Sequence, residues 1–411
     1  MILIAALLIG AAVAYYNLRS SSSSQPREVE AASKASPEPP VAVSSDERTS
    51  PAAPVRKTAS SLGSHSAAAQ SGQASAPPQD LITRLAQFDP AQGVMTPERA
   101  AQLKQDLRDL AAQGTNALPA IRQFLEGNQD INWDDPNGHS LAGFASMRAS
   151  LLDVVHQIGG PEATETFLHT LTSTAEPAEI ALVAKYLEEQ APGEYRQNVI
   201  AAARESVDQF AKGQLQTHEI GPLFQVMQTY GDASVLPDLQ TALAQWPTYG
   251  IMALAGLPEG QGVSALVDRL KDSSTEGLPP TQRAFAYQML AQNSAQSPLA
   301  ANALLEQARQ GQVPEAAWPK IAEGLSGPQY QITVPVFADS SPKTLAMISG
   351  MTTYRLEQGN QNYYSLAFDP AAAPAETAQR RAVVEQLLAV AANNPAAVDA
   401  LQRARQKLTR F

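Results

Sequence analysis

From Leu81 onward the chain alternates between short segments of periodic apolar residues and polar turns. Apolar residues recur every three or four positions, which is the spacing of one buried face of a helix. The first clear segment begins at Thr96, a favoured N-cap residue, with Pro97 at the first helical position and Gly114 after the last turn. The pattern therefore predicts helices joined by short loops over most of the chain.

These helices group into pairs. The predicted pairs are 140–158 with 161–173, 177–190 with 193–211, 218–230 with 233–245, 248–256 with 262–271, and 280–293 with 298–310. The second helices start near residues 161, 197, 233, 262 and 298, so three of the four intervals between these starts are 36 residues. A regular interval of this length is typical of a stack of helical hairpins.

One phrase of the sequence occurs twice, 72 residues apart, over residues 159–171 and 231–243. Each copy places a glycine after a helical segment, then a short polar turn, then apolar residues at helical spacing. Partial copies lie at residues 117–121 and 262–267. Because 72 is twice 36, the phrase has the same period as the predicted hairpins.

The phrase, with Gly231-Asp232 before its second helix, resembles the short HEAT-like repeats of the HEAT-repeat families, of a bacterial membrane-anchored or exported type. The resemblance covers roughly residues 96–310. It implies an all-α fold in which helical hairpins form a right-handed α-solenoid. Repeats of this kind serve mostly as scaffolds, so the resemblance also implies a protein or peptide partner.

Beyond residue 311 the regular spacing of the predicted helical pairs ends. Tyr330 and Ile332 alternate with polar residues, which predicts a short strand or an extended segment, and Pro335 favours the extended surface segment. A helix is predicted near 342–357, and two terminal helices over about 374–392 and 396–409 are expected to cap the stack. Their basic residues are expected to face either water or the acidic body.

The N-terminus carries 15 uninterrupted apolar residues, 2–16, which is fewer than the roughly 20 that cross a bilayer upright. Three alternatives remain: an uncleaved membrane anchor, a signal cleaved after the small-x-small sequence Ala12-Val13-Ala14, or a buried helix. Membrane orientation stays open. We expect a membrane-anchored protein whose folded part is periplasmic or extracytoplasmic, or a secreted protein if the segment is cleaved.

A polar tract without apolar periodicity follows this segment. It is rich in Ser, Pro and Ala and cannot bury enough surface to offset chain entropy, which predicts a disordered linker. The predicted organisation is an anchor or signal segment over 1–19, the linker over 20–80, HEAT-like helical repeats over 81–310, and an irregular segment with capping helices over 311–411.

Charge and cysteine content exclude several classes of function. Residues 81–370 carry 17 basic and 31 acidic side chains, and this net charge of −14 repels phosphate backbones, so nucleic-acid binding is not expected. The chain has no cysteine, which excludes disulfides and thiolate metal sites.

Sequence motifs that would indicate catalysis or metal binding are weak in this chain. Of the five histidines, His156 and His169 lie in consecutive predicted helices and could be neighbours. A turn-rich loop that begins at Asp130 resembles a calcium loop, but Asp135 and Leu141 stand where that loop needs Gly and Glu. No catalytic, metal-binding or cofactor-binding residue is therefore expected, and no cofactor.

The sequence favours a non-enzymatic interaction scaffold that binds a protein or peptide on the solenoid surface. Trp133, Tyr363 and Tyr364 are candidate partner contacts, with Trp133 alternatively pinning its loop to the stack. Two other functions remain open: a hydrolase or lyase that acts on cell-wall glycans through an unidentified carboxylate pair, and a purely structural spacer. The oligomeric state is not indicated.

Overall fold

The computed structural model describes residues 76–88, 95–127, 129–133, 143–215, 219–272, 277–332, 353–355, 362–366, 368, 370–371 and 373–409. The chain divides between Gln73 and Ala74, and all described residues belong to the second part. These residues form sixteen α-helices and three short strands. The predicted all-α class is confirmed for them. The predicted anchor at 1–19 and the linker up to residue 75 lie outside the described residues.

The helices are numbered in chain order. Their bounds are α1 Pro78–Ala86, α2 Pro97–Ala112, α3 Leu118–Glu126, α4 Met147–Ile158, α5 Gly160–Ser173, α6 Pro177–Gln190, α7 Arg196–Ala211, α8 Gly221–Tyr230, α9 Leu236–Ala242, α10 Pro247–Gly256, α11 Val263–Lys271, α12 Pro280–Asn293, α13 Pro298–Arg309, α14 Trp318–Ser326, α15 Pro374–Val390 and α16 Pro395–Thr409. Most predicted helices are observed within a few residues of these bounds.

Helix α2 begins and ends where the sequence predicts. The hydroxyl of Thr96 accepts a hydrogen bond from the backbone N–H of Arg99 at 3.3 Å, which satisfies one of the free donors of the first turn. Gly114 follows the helix with a φ of 59°, a left-handed conformation that favours glycine. Local capping chemistry therefore fixes both ends of this helix.

Two helix starts differ from the prediction. Helix α1 begins at Pro78, within the last residues assigned to the linker, because Leu81 and Leu85 pack into the core. Helix α4 begins at Met147 and not at residue 140, since Ser146 caps it by accepting a hydrogen bond from the N–H of Ala149 at 3.2 Å. At Met147 a non-local contact also contributes, because its backbone N–H donates to the carbonyl oxygen of Ile131 at 2.9 Å. Contacts beyond the local sequence therefore contribute to both boundaries.

The two copies of the duplicated phrase bury equivalent positions. Four buried residues of the first copy have buried partners 72 positions later, namely Ala163 and Val235, Phe167 and Leu239, Thr170 and Ala242, and Leu171 and Leu243, whereas the buried Thr166 corresponds to the half-buried Asp238. The copies differ in backbone conformation ahead of the second helix, because residues Ala233–Val235 of the second copy form a 3₁₀ turn before α9. The repeated sequence thus encodes a repeated burial pattern and not an identical backbone.

Contacts between helices follow two series. The even-numbered helices contact one another in succession from α2 to α16. Among the odd-numbered helices α1 contacts α3, α3 contacts α5, α5 contacts α7, α11 contacts α13, and α13 contacts α15. Neighbours in sequence such as α4 and α5, or α12 and α13, contact each other across the two series. The apolar residues of both series form one core cluster.

A small antiparallel sheet follows α14. Its strands are β1 Gln329–Gln331, β2 Thr353–Arg355 and β3 Asn362–Leu366, in the order β1-β3-β2. Tyr330 of β1 is paired with Ser365 of β3. Of the two alternatives for the segment around Tyr330, the short strand is observed, and not the extended surface segment that Pro335 favoured.

The helix predicted near 342–357 is wrong at residues 353–355, which form β2. Backbone pairing with β3 and the β propensity of Thr353 and Tyr354 outweigh the apolar spacing from which the helix was predicted. The rest of the predicted helix lies outside the described residues.

The basic residues of the last two helices have different environments. Arg380 of α15 has an exposed fraction of 1% and faces the interior, whereas the side chain of Arg403 in α16 is 59% exposed and pairs with Asp399. The basic residues of these helices therefore do not all face water, and they do not all face the acidic body.

Candidate functional site

The even-numbered helices hold an extended piece of the chain, residues 329–332, against their surface. The helices that contribute are α8, α10, α12 and α14. We call this surface the strand-binding face and define it by Gly221, Tyr249, Phe285, Gln292 and Glu323.

Gln292, near the end of α12, holds the backbone of Tyr330. Its side-chain oxygen accepts a hydrogen bond from the N–H of Tyr330 at 2.7 Å, and its side-chain nitrogen donates to the carbonyl oxygen of Tyr330 at 2.8 Å. This pair of bonds copies what a neighbouring strand would supply. Strand β1 is therefore paired on one side by β3 and on the other by a single glutamine side chain.

The side chain of Tyr330 is buried between the face and the sheet. Its hydroxyl donates a hydrogen bond to the carboxylate of Glu323 in α14. Its ring lies edge-on to Tyr363, with centroids 5.3 Å apart and an interplanar angle of 76°, and Tyr363 in turn packs on Phe285 at 5.6 Å. The residue thus combines a directional polar contact with aromatic packing.

The pKa of Glu323 is lowered from its ordinary value of 4.5. Partial burial by itself raises this pKa, but the hydrogen bonds from Lys320 and Tyr330 lower it by more. The carboxylate is consequently charged at neutral pH and acts as a strong acceptor for the tyrosine hydroxyl.

Ile332, two residues after Tyr330, packs against the start of α8. A methyl group added at Gly221 would lie 3.2 Å from Cγ2 of Ile332 and 3.2 Å from Cζ of Tyr249, so glycine makes room for this close approach. The hydroxyl of Tyr249 donates to the carboxylate of Glu219. Since successive strand side chains alternate, Tyr330 and Ile332 point to the same side of the segment.

Arg380 fastens the beginning of the segment to the helices. Its guanidinium donates to the side-chain oxygen of Gln329 at 2.6 Å, to the carbonyl of Gly324 at 2.7 Å and to the carbonyl of Gln292 at 3.2 Å. Glu376 balances its charge at 2.6 Å. Burial lowers the pKa of this arginine. One side chain thereby links α15, α14, α12 and β1.

The predicted partner contacts occupy different places. Trp133 has an exposed fraction of 1% and its backbone N–H donates to the carbonyl of Ala145 at 2.7 Å, which agrees with the alternative that it pins its loop. Tyr363 lies beside the strand-binding face, where its side chain is buried. The backbone of Tyr364 belongs to β3, and its side chain lies outside the described residues.

His156 and His169, which lie in the consecutive helices α4 and α5, do not form a pair with each other. His156 stacks on Tyr186 with ring centroids 4.2 Å apart and lies 3.4 Å from Glu189. His169 lies 3.7 Å from Glu126 instead. Each histidine is thus placed against an acidic residue of a different helix.

The loop that resembles a calcium loop serves as a helix-capping element where it is described. The carboxylate of Asp130 accepts hydrogen bonds from the N–H groups of Ile131 and Arg148 at 2.8 and 2.9 Å. Across the described ranges, no group of three His, Cys, Asp or Glu side chains is arranged to hold a metal ion. Residues 134–142, which include Asp135 and Leu141, lie outside those ranges.

The chain matches no protein-family model, no curated protein and no solved structure. In the part of the chain that the structure describes, no helix is long and apolar enough to cross a membrane.

Sequence reasoning found the extended segment but missed the residues that hold it. The alternation at Tyr330 and Ile332 was a usable signal for a strand. Gln292 and Arg380 gave none, because a polar residue that bonds across 38 or 51 positions has no local pattern. Glu323 lies only 7 positions before Tyr330 but in a different element, and no helix or strand spacing links the two.

Proposed function

We propose that this protein is a non-enzymatic interaction scaffold of the cell envelope, which binds a protein or peptide on the surface of a right-handed α-solenoid of HEAT-like hairpins. The two series of helix contacts support the solenoid arrangement, because the even-numbered helices contact one another in succession and most odd-numbered helices contact the next member of their series. Stacks of this kind present long surfaces on which partners dock.

One observation carries the proposal. The chain's own residues 329–332 lie extended across four helices and are held through their backbone by Gln292 and through a side chain by Glu323. A surface that captures an extended backbone in this way has the chemistry of a peptide-binding site.

The remaining buried charges support a structural role for most polar groups. The buried carboxylate of Asp106 is bonded to Arg84 at 2.7 Å, and that of Glu179 is bonded to Arg148 at 2.9 Å. Arg148 also donates to the carbonyls of Leu125 and Gly127. These groups join helices to one another.

Attachment to the envelope is proposed from the sequence. The apolar segment 1–19 would hold the chain at the membrane, and the polar tract 20–80 would separate the folded part from the bilayer. Membranes washed with alkaline carbonate should retain the protein if the segment is an uncleaved anchor. An N-terminal sequence of the mature protein that begins at Tyr15 would assign a cleaved signal instead.

The binding function is tested by crosslinking in intact cells, followed by purification of the full chain and mass spectrometry. The expected result is one partner recovered reproducibly and in proportion to the scaffold. An unrelated exported protein with the same tag serves as the control. Recovery of the same proteins with both baits, under several crosslinker lengths, would contradict the scaffold function.

A further inference from the structure

We infer that the strand-binding face accepts, from a partner protein, an extended peptide with a tyrosine followed two residues later by a β-branched aliphatic residue. Residues 329–332 of the chain are then an internal occupant that the peptide displaces. This inference rests on the proposed scaffold function and specifies its ligand.

The backbone contacts set the shape of the ligand but not its sequence. The side chain of Gln292 bonds to backbone groups of Tyr330, its N–H and its carbonyl, and β3 pairs with the other edge of the same strand. A peptide that replaces β1 would form all of these bonds if it is extended and has no proline at the central position.

The tyrosine requirement comes from Glu323. Its carboxylate accepts from the hydroxyl of Tyr330 at a buried position, and phenylalanine would leave that acceptor without this donor. The ring of Tyr363 supplies an edge-on aromatic contact to the same side chain. Both contacts favour tyrosine over other residues at this position.

The aliphatic requirement comes from the start of α8. Ile332 is buried where Gly221 leaves space beside the ring of Tyr249. An acidic side chain there would be buried near the carboxylate of Glu219, which also lies beside Gly221, and burying such a charge is costly. The position before the tyrosine also contributes to the preference, because Arg380 donates to the side chain of Gln329 at 2.6 Å. The favoured ligand therefore has the pattern Gln-Tyr-x-Ile.

The internal segment must weaken binding of any external peptide. A covalently attached segment competes at an effective concentration of about millimolar. Vacating the face by substitution should consequently strengthen the binding of an external peptide, whereas damage to the face should weaken it. These two effects have opposite signs, so they separate a binding site from ordinary core packing.

The test uses a fluorescein-labelled peptide that copies residues 327–334 and measures its anisotropy with the full chain. The vacated variant carries Tyr330→Ala and Ile332→Ala together. It should bind the peptide at least tenfold more tightly than the unaltered chain. Addition of Gln292→Glu, which preserves size but removes the donor to the tyrosine carbonyl, should weaken that binding at least tenfold.

Two controls accompany this measurement. Gln240→Glu introduces the same substitution at an exposed position of α9 and should leave affinity unchanged. A peptide with alanine in place of its tyrosine should bind at least tenfold more weakly than the original. Equal affinity of the vacated and unaltered chains, or binding that is insensitive to Gln292→Glu, overturns the inference.

Hydrogen exchange keeps the inference testable if the vacated variant loses its helix content by circular dichroism. Excess peptide should then accelerate exchange of the Tyr330 amide in the unaltered chain, because the internal strand is displaced. No acceleration up to the solubility limit of the peptide overturns the inference.

Two further outcomes separate this site from the scaffold function. A crosslinked partner recovered equally well by the unaltered chain and by Gln292→Glu retains the scaffold but overturns this site. A dimer in sedimentation velocity that Tyr330→Ala dissolves would assign the face to a second copy of the chain, which also overturns the inference.

Discussion

The guanidinium of Arg148 in α4 and the carboxylate of Glu179 in α6 form a buried pair, with one N–H···O distance of 2.9 Å. The two residues are 31 positions apart in sequence. Arg148 also donates to the carbonyls of Leu125 and Gly127 at 2.7 and 3.0 Å, at the end of α3, where the last carbonyls have no helical N–H donors. One charged pair therefore joins three helices.

Glu179→Gln should strongly destabilise the helical body. The substitution leaves the Arg148 guanidinium buried without a countercharge, and breaking a buried pair in this way costs about 3–5 kcal/mol. Urea unfolding followed by circular dichroism measures the loss. Lys212→Gln breaks an exposed pair with Asp208 and should cost less than about 1 kcal/mol. Equal effects of the two substitutions would contradict the structural role of the buried pair.

Arg380→Met should detach the C-terminal helices from the rest of the body. It removes the hydrogen bonds to the carbonyls of Gly324 and Gln292, and leaves these acceptors buried. Each unsatisfied acceptor costs about 1–3 kcal/mol. Hydrogen exchange should show loss of protection in α15 and α16, whereas Arg403→Gln at the exposed surface should leave it unchanged. Protection lost evenly along the whole chain would argue against a local clamp.

The contribution of Glu323 should depend on pH. Its folded-state pKa lies below the ordinary 4.5, so its stabilisation is complete above that value and disappears as the pH falls through the folded pKa. Unfolding free energies of the unaltered chain and Glu323→Gln should differ by about 1 kcal/mol at neutral pH and converge in acid. Glu306→Gln controls for loss of one exposed carboxylate. A difference in unfolding free energy that widens on acidification would contradict a lowered pKa of Glu323 in the folded state.

Gly231→Ala should be more damaging than Gly213→Ala. A methyl group at Gly231 would lie 2.2 Å from the carbonyl oxygen of Met227. Such overpacking lowers the free energy of unfolding by about 3 kcal/mol. Gly213 has a φ of 68° but no atom within 4 Å, so its alanine variant bears only backbone strain of about 1 kcal/mol. Thermal unfolding compares the two. A larger loss at Gly213 would contradict the close-packing explanation for Gly231.

Local signals predicted most helices correctly and failed where the signal was not local. Thr96 and Gly114 mark the ends of α2 in the sequence itself, because a cap residue acts within its own turn. The apolar spacing near residue 353 indicated a helix, yet β2 forms there since pairing with β3 supplies its hydrogen bonds. Helix bounds at Pro78 and Met147 moved for a similar reason.

The sequence by itself indicated that helices dominate over residues 81–310, that its glycine phrase repeats, and that the segment around Tyr330 is extended. Each of these follows from residues a few positions apart, whose spacing fixes backbone conformation. Only the tertiary structure decided that Gln292, Glu323 and Arg380 hold that segment. Side chains of distant helices can approach one another only after packing, so their hydrogen bonds are not encoded in any local pattern.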